Sequence, residues 1–102
     1  MTIIWTDEAL NSLLDIGSYI AQDNPKRAKS FTTELYERSD QLKTHPRSGR
    51  PVPEDPFELS LEIIHKNYRI IYEIKNDDLI LIHFAIHGSK RLGEEFFKFL
   101  KK

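Results

Sequence analysis

Three alternating apolar runs, separated by short polar turns, dominate the second half of the chain. They are LSLEIIH at 59–65, YRIIYEIK at 68–75 and LILIHFAI at 79–86, split by Lys66-Asn67 and by Asn76-Asp77-Asp78. This spacing predicts three strands joined by tight turns, an antiparallel meander. Alternation assigns their faces. Ile80, Ile82, Phe84 and Ile86 form one apolar side of the last strand, and Tyr68, Ile70, Tyr72 and Ile74 one apolar side of the strand before it. The other side is decorated, with Arg69, Glu73, Lys75, His83 and His87 interspersed among Ile71, Leu79, Leu81 and Ala85. Arg69, His83 and His87 are expected to share that side and to face water or a partner, because unpaired buried charge is strongly unfavourable.

The first half has the period of helices. A short opening strand, TIIW at 2–5, leads to Thr6 as an N-cap, with Asp7 and Glu8 complementing the helix dipole. Leu10, Leu13, Leu14, Gly17, Ile20 and Ala21 then predict one apolar helix face running to about Gln22. Asp23-Asn24-Pro25 ends that helix and starts another, since Asn24 suits an N-cap and Pro25 the first helical position. Ala28, Phe31, Leu35 and Leu42 stripe the second helix to near Thr44, and so short a link predicts an antiparallel hairpin. The segment 45–57, HPRSGRPVPEDPF, holds four of the five prolines and reads as a stiff loop. After Gly88, Ser89 is placed to cap a last amphipathic helix built on Leu92, Phe96, Phe99 and Leu100. The expected fold is α+β in one domain over residues 1–102: an N-terminal strand, a helical hairpin, a three-stranded antiparallel meander and a short C-terminal helix.

Composition narrows the function. A chain of 102 residues with 39% hydrophobic content can bury one real core. No apolar run is long enough to span a bilayer, and the start MTIIWTDEAL lacks the basic and apolar regions of a signal peptide, so a cytoplasmic home is expected with no membrane role. The absence of cysteine removes disulfides, thiolate catalysis and cysteine zinc sites together. A net charge of −1 argues against a dedicated nucleic-acid binder, so any such role needs a local patch.

Candidate chemistry reduces to one group. His83 and His87 are four strand steps apart, roughly 13 Å, too far to share an ion, and acidic partners at ligand spacing are missing. No metal or cofactor is expected. Phosphate loops, dinucleotide fingerprints and Ser-His-Asp sets are absent too. What remains is Arg69, His87, Lys90 and Arg91, with His65 and Lys66 nearby in sequence. Metal-free RNA cleavage needs a base for the 2′-hydroxyl, a donor for the leaving oxygen and cations around the phosphate, roles these residue types can fill. The alternative is that Arg69 and Arg91 hold acidic neighbours such as Glu62 and Glu73 in ion pairs. A second expectation is an apolar binding surface on the decorated face, comprising Ile71, Leu79, Leu81, His83, Phe96, Phe97 and Phe99.

The chain resembles toxins of the RelE/ParE superfamily of bacterial type II toxin–antitoxin modules. The likeness runs over nearly the whole length, through IIWTDEALNSLLDIGSYI, the DNP restart, HPRSGRPVPE, YRIIYEI and HGSKR. It implies a twisted antiparallel sheet against a helical hairpin, wrapped by an extended antitoxin segment through which oligomers form. Two activities occur in the superfamily. RelE-like members cut messenger RNA on the ribosome, whereas ParE-like members poison DNA gyrase and are not known as nucleases. Arg69 matches the nucleases' phosphate-holding arginine, and Lys90 or Arg91 their second basic residue. Where those enzymes carry lysines on the preceding strand, this chain has Ser60 and Glu62; where they carry a tyrosine on the final helix, it has Phe96 or Phe97. A glutamate in place of a phosphate-binding lysine repels the substrate. The resemblance therefore favours a ParE-like plasmid-stabilisation toxin that inhibits gyrase, with an antitoxin as partner. The alternative is a ribosome-dependent mRNA endoribonuclease using Arg69, His87, Lys90 and Arg91, which leaves open whether the chain is an enzyme.

Overall fold

The computed structural model describes residues 1–101, the side chains at 99 and 101 excepted. Strand β1 (Thr2–Trp5) leads into α1 (Asp7–Ala21), and α2 (Pro25–Arg38) follows, continued by a 3₁₀ turn at Ser39–Lys43. The expected caps form. Thr6 Oγ1 accepts from the Ala9 N–H at 3.1 Å and also donates to the Ile82 carbonyl, so one hydroxyl both starts α1 and ties it to the sheet. Asn24 Oδ1 accepts from the Arg27 N–H at 3.0 Å, with Pro25 in the first helical turn. Four further strands complete the chain: β2 (Arg50–Pro51), β3 (Leu61–His65), β4 (Tyr68–Asn76) and β5 (Leu79–His87), before a 3₁₀ helix at Glu94–Lys101.

The sheet order is β1-β5-β4-β3-β2, with β1 parallel to β5 and every other pairing antiparallel. The meander is as expected. The proline-rich loop, however, contributes the short edge strand β2, which pairs Arg50 with Glu62 and Pro51 with Leu61. The one proline of β2, Pro51, sits at the sheet edge, where a missing N–H does no harm. The last helix begins at Glu94 rather than after Ser89, whose hydroxyl is instead held by His87 Nδ1 at 2.8 Å.

Two cores flank the sheet. The larger one packs Trp5, Leu13, Ile16, Phe31, Leu35 and Leu42 against Ile63, Ile70, Tyr72, Ile80 and Ile82. On the opposite face Val52, Ile71, Phe97 and Leu100 are buried together, with Phe57, Ile86, Leu92 and Phe96 packed around them. Two face assignments need correction. In α1 the buried stripe is Ala9, Ser12, Leu13 and Ile16, while Leu10 and Leu14 are exposed at 40% and 68%. Small residues let the helix approach the sheet closely, so the inward stripe is not the most hydrophobic one. In β5 the alternation breaks at His83. Ile71 pairs with Phe84 and Tyr72 with Ile82, which leaves His83 as an extra residue, a β-bulge. Beyond it the faces exchange: Ala85 turns to the helices, while Ile86 packs on the second core and Phe84 rests on the ring of Phe96.

Candidate functional site

Arg69 enters the second face from β4 and is 6% exposed. The neighbouring strand brings Glu62 diagonally beside it, since Glu62 pairs with Ile71 and Ile64 with Arg69. Arg69 Nε donates to Glu62 Oε1 at 2.7 Å. Its two terminal nitrogens grip Glu54 of the proline-rich loop in a bidentate pair, at 2.9 and 2.6 Å, and Nη1 also donates to the Lys90 carbonyl at 3.2 Å. Glu62, fully enclosed at its side chain, takes a second bond from Arg50 Nε at 2.7 Å. Two arginines and two carboxylates thus form one knot that fastens the loop, β2, β3, β4 and the turn after β5 together. Bidentate pairing of this type is among the stronger protein hydrogen-bond geometries.

The electrostatics follow the geometry. The hydrogen bonds from Arg69 hold the Glu54 carboxyl down at about 2, helped by the Leu92 N–H, although burial works the other way. The same bonds raise Arg69 further above its ordinary range. Asp55, next to Glu54, organises the loop: its carboxylate accepts from the Ser60 hydroxyl and from the N–H groups of Phe57, Leu59 and Ser60. Burial opposes ionisation there too, yet these four donors keep the pKa low.

Around the knot lies a cleft of about 580 Å³ at the end of the sheet, lined among others by Arg50, Lys66, Arg69, His87, Lys90 and Arg91. The four candidate residues therefore converge on one opening, but not as one set. His87 turns to the helix side, where its ring meets Tyr68 at 5.2 Å, so it does not share the Arg69 face. The side chains of Lys90 and Arg91 are exposed and carry no carboxylate partner among the described residues. His65 and Lys66 both bond Glu34, which Arg27 also holds. His83 stands on the bulge and bonds Glu73 at 2.9 Å. Of the two ion pairs anticipated for Arg69 and Arg91, the one between Arg69 and Glu62 forms; Glu73 instead holds His83 and Lys75.

The predicted apolar surface is distributed differently. Ile71 and Phe97 are completely buried in the second core and Phe96 is half-buried beside them, because the C-terminal helix folds over that part of the sheet. Leu79, Leu81 and His83 remain half-buried toward the β1 edge, next to Ile4, which is 46% exposed. The side chain of Phe99 lies outside the described residues. Glu54 and Asp55 escaped the sequence reading. No local signal marks Glu54 or Asp55, which lie in the loop, with Glu54 meeting Arg69 15 residues further on. Among the described residues no group of His, Asp or Glu is arranged to hold a metal ion, and no helix is long and apolar enough to cross a membrane.

Comparison with known proteins agrees with this architecture. The family model described as ParE toxin of type II toxin-antitoxin system, parDE, matches residues 3–92. A relative from Sinorhizobium fredii, named "Putative toxin Y4kP", is 37% identical over 86 residues, covering 83% of this chain and 88% of its own. Among solved structures, a chain of the chromosomal ParDE toxin–antitoxin system from P. aeruginosa superposes with a TM-score of 0.69 at 20% identity, over 85% of this chain and 95% of that one. A chain of the RelBE2 toxin–antitoxin complex from Mycobacterium tuberculosis gives 0.63 at 20% identity, over 84% and 95%. At such identity the two structures speak to the fold alone.

Proposed function

Since the chain belongs to the ParE family of toxins from type II toxin–antitoxin systems, we propose that it inhibits DNA gyrase by binding, without catalysis, and that a cognate antitoxin neutralises it. The observation that carries this reading is the state of Arg69. A phosphate clamp must offer its guanidinium to the substrate, and this one is enclosed and committed to Glu54, Glu62 and a backbone carbonyl. The remaining positions are equally unsuited to phosphodiester chemistry. Ser60 is 2% exposed with its hydroxyl held by Asp55, Glu62 places a buried negative charge where a cation is wanted, and Phe96 and Phe97 have no proton to give. Transition-state stabilisation of a phosphorane needs donors aimed at the developing charge, and two carboxylates beside the arginine oppose it. Gyrase as target places the chain in the cytoplasm, and the antitoxin partner accords with the complexes to which the two solved neighbours belong.

A second reading is favoured by one feature, the opening of His87, Lys90 and Arg91 onto a common cleft. On that reading the chain is a ribosome-dependent mRNA endoribonuclease in which Arg69 is released from Glu54 on substrate binding. Induced expression with parallel pulse labelling of DNA and protein separates the two. Gyrase inhibition stops DNA synthesis first with messenger RNA intact; an early stop in translation with cuts at ribosomal A sites establishes the nuclease instead.

A further inference from the structure

The two edges of the five-stranded sheet are finished differently. At one edge β2 carries Arg50 and Pro51, with Pro53 close behind, and Arg50 is fastened to Glu62. Proline and charge are devices that keep an edge strand from taking a neighbour. At the other edge β1 is Thr-Ile-Ile-Trp, in regular register with β5 and without a charge or a proline. Thr2 donates its N–H to the Asp78 carbonyl and Thr6 to that of Ile82, so the even-numbered residues turn their backbone groups toward β5. By alternation the N–H and C=O groups of Ile3 and Trp5 point outward, and nothing among the described residues hydrogen-bonds them there. The side chains alternate as well. Ile3 and Trp5 pack on the core beneath the helices, whereas Ile4, beside Leu81, stands on the other face and is 46% exposed.

We propose that β1 is a self-association edge, to which a second copy of this chain adds its own β1, antiparallel, about a two-fold axis at Ile4. The edge is self-complementary. Antiparallel strands exchange two hydrogen bonds wherever residues that point their N–H and C=O groups at each other stand opposite. Ile3 opposite Trp5 of the second copy, and Trp5 opposite its Ile3, make two such pairs and satisfy every outward group of both strands. Ile4 then meets Ile4 of the second copy across the axis, a close β-branched pair flanked by Leu81 on each side. No charge on β1 opposes its copy, and the same patch serves both partners, as a closed two-fold dimer requires. The edge is also rigid before a partner arrives, because Trp5 stacks on Tyr36 and donates to the Ser39 hydroxyl at 3.2 Å. β1 spans only Leu79 to Ile82, the half of β5 remote from the basic turn, so the dimer displays two free copies of Lys90 and Arg91. This association needs no antitoxin and holds whatever the target.

A single cysteine reports the contact, since the chain has none of its own. Across the axis the two Cα atoms at position 4 stand about 4.5 Å apart, within reach of a disulfide. Ile4→Cys is therefore expected to cross-link into dimers under mild oxidation roughly tenfold faster than Leu14→Cys, although Leu14 is the more exposed residue at 68%. Analytical ultracentrifugation of the wild-type chain should show a reversible dimer with a Kd on the order of 10–100 μM, weak because the interface is small. Ile4→Lys, which sets two ammonium groups against each other on the axis, should leave a folded monomer, whereas Leu14→Lys keeps the dimer. Equal cross-linking of the two cysteine variants overturns the inference, as does a dimer that survives Ile4→Lys. So does a wild-type chain that stays monomeric at about 0.5 mM, whether the edge is then bare or taken by a strand of another protein.

Discussion

Arg69 and the Lys90-Arg91 pair occupy the same end of the sheet, close enough for the Arg69 guanidinium to donate to the Lys90 carbonyl, yet they differ in kind. Arg69 sits on a central strand between two carboxylates and is nearly inaccessible. Lys90 and Arg91 follow the last strand in an exposed turn and face water. The same charge serves architecture in one place and is free for recognition in the other. What separates them is the arrival of Glu54 and Glu62, not anything in the basic residues themselves.

Arg69→Ala puts this difference to its hardest test. If the arginine is a structural pin, its loss leaves Glu62 and Glu54 buried beside too little positive charge. Stability should fall by about 3–5 kcal/mol in urea unfolding. A change below about 0.5 kcal/mol would place Arg69 with the free surface cations instead. Acid unfolding tests the same knot from the other partner. The Glu54 carboxyl is lowered from 4.5 to about 2 by Arg69, so the unfolded chain takes up this proton at higher pH than the folded one. The stabilisation is therefore complete above about pH 4.5 and drains away as pH falls toward 2, an effect of about 3 kcal/mol. Glu54→Gln should flatten that part of the stability–pH curve.

A smaller loss is expected where the loop touches the sheet. Gly49 donates its N–H to the Tyr72 hydroxyl, which donates onward to the Pro46 carbonyl. A Cβ at position 49 would meet the Glu62 carbonyl oxygen at 2.6 Å and the Tyr72 hydroxyl at 2.7 Å. Gly49→Ala should therefore cost about 1–3 kcal/mol, measured by thermal or urea unfolding. Smallest of all, Lys90→Ala with Arg91→Ala should shift stability by less than about 0.5 kcal/mol. A large destabilisation there would show that the basic turn belongs to the architecture after all.

Much of this fold is legible in the chain because its signals are local. Thr6 and Asn24 announce their helices by capping chemistry, and the turns at Lys66-Asn67 and Asn76-Asp77-Asp78 separate strands by polarity alone. The pairing of Arg69 with Glu62 could also be anticipated, since both interrupt apolar strands on one face. The bulge at His83 carries no comparable mark; it arises from fitting β5 against β4, and it reverses every face assignment after it. The orientation of α1 was ambiguous for another reason. Leu10 and Leu14 outrank Ala9 and Ser12 in hydrophobicity, but the close approach to the sheet, with Ser12 bonded to Ala85, selects the smaller residues. Glu54 was hidden because its contact with Arg69 spans 15 residues, from a loop whose course proline stiffness alone does not determine. Burial of Ile71 and Phe97 likewise depends on where the C-terminal helix lands.

On the proposed reading this chain acts by binding gyrase and not by cutting RNA, with Arg69 withdrawn into the structure. The most direct measurement is a supercoiling assay with purified gyrase and relaxed plasmid, run beside primer extension on messenger RNA translated in a purified ribosome system. Loss of supercoiling with intact message is the predicted result. Unimpaired supercoiling together with reproducible A-site cleavage that vanishes in a folded Arg69→Lys variant would contradict it.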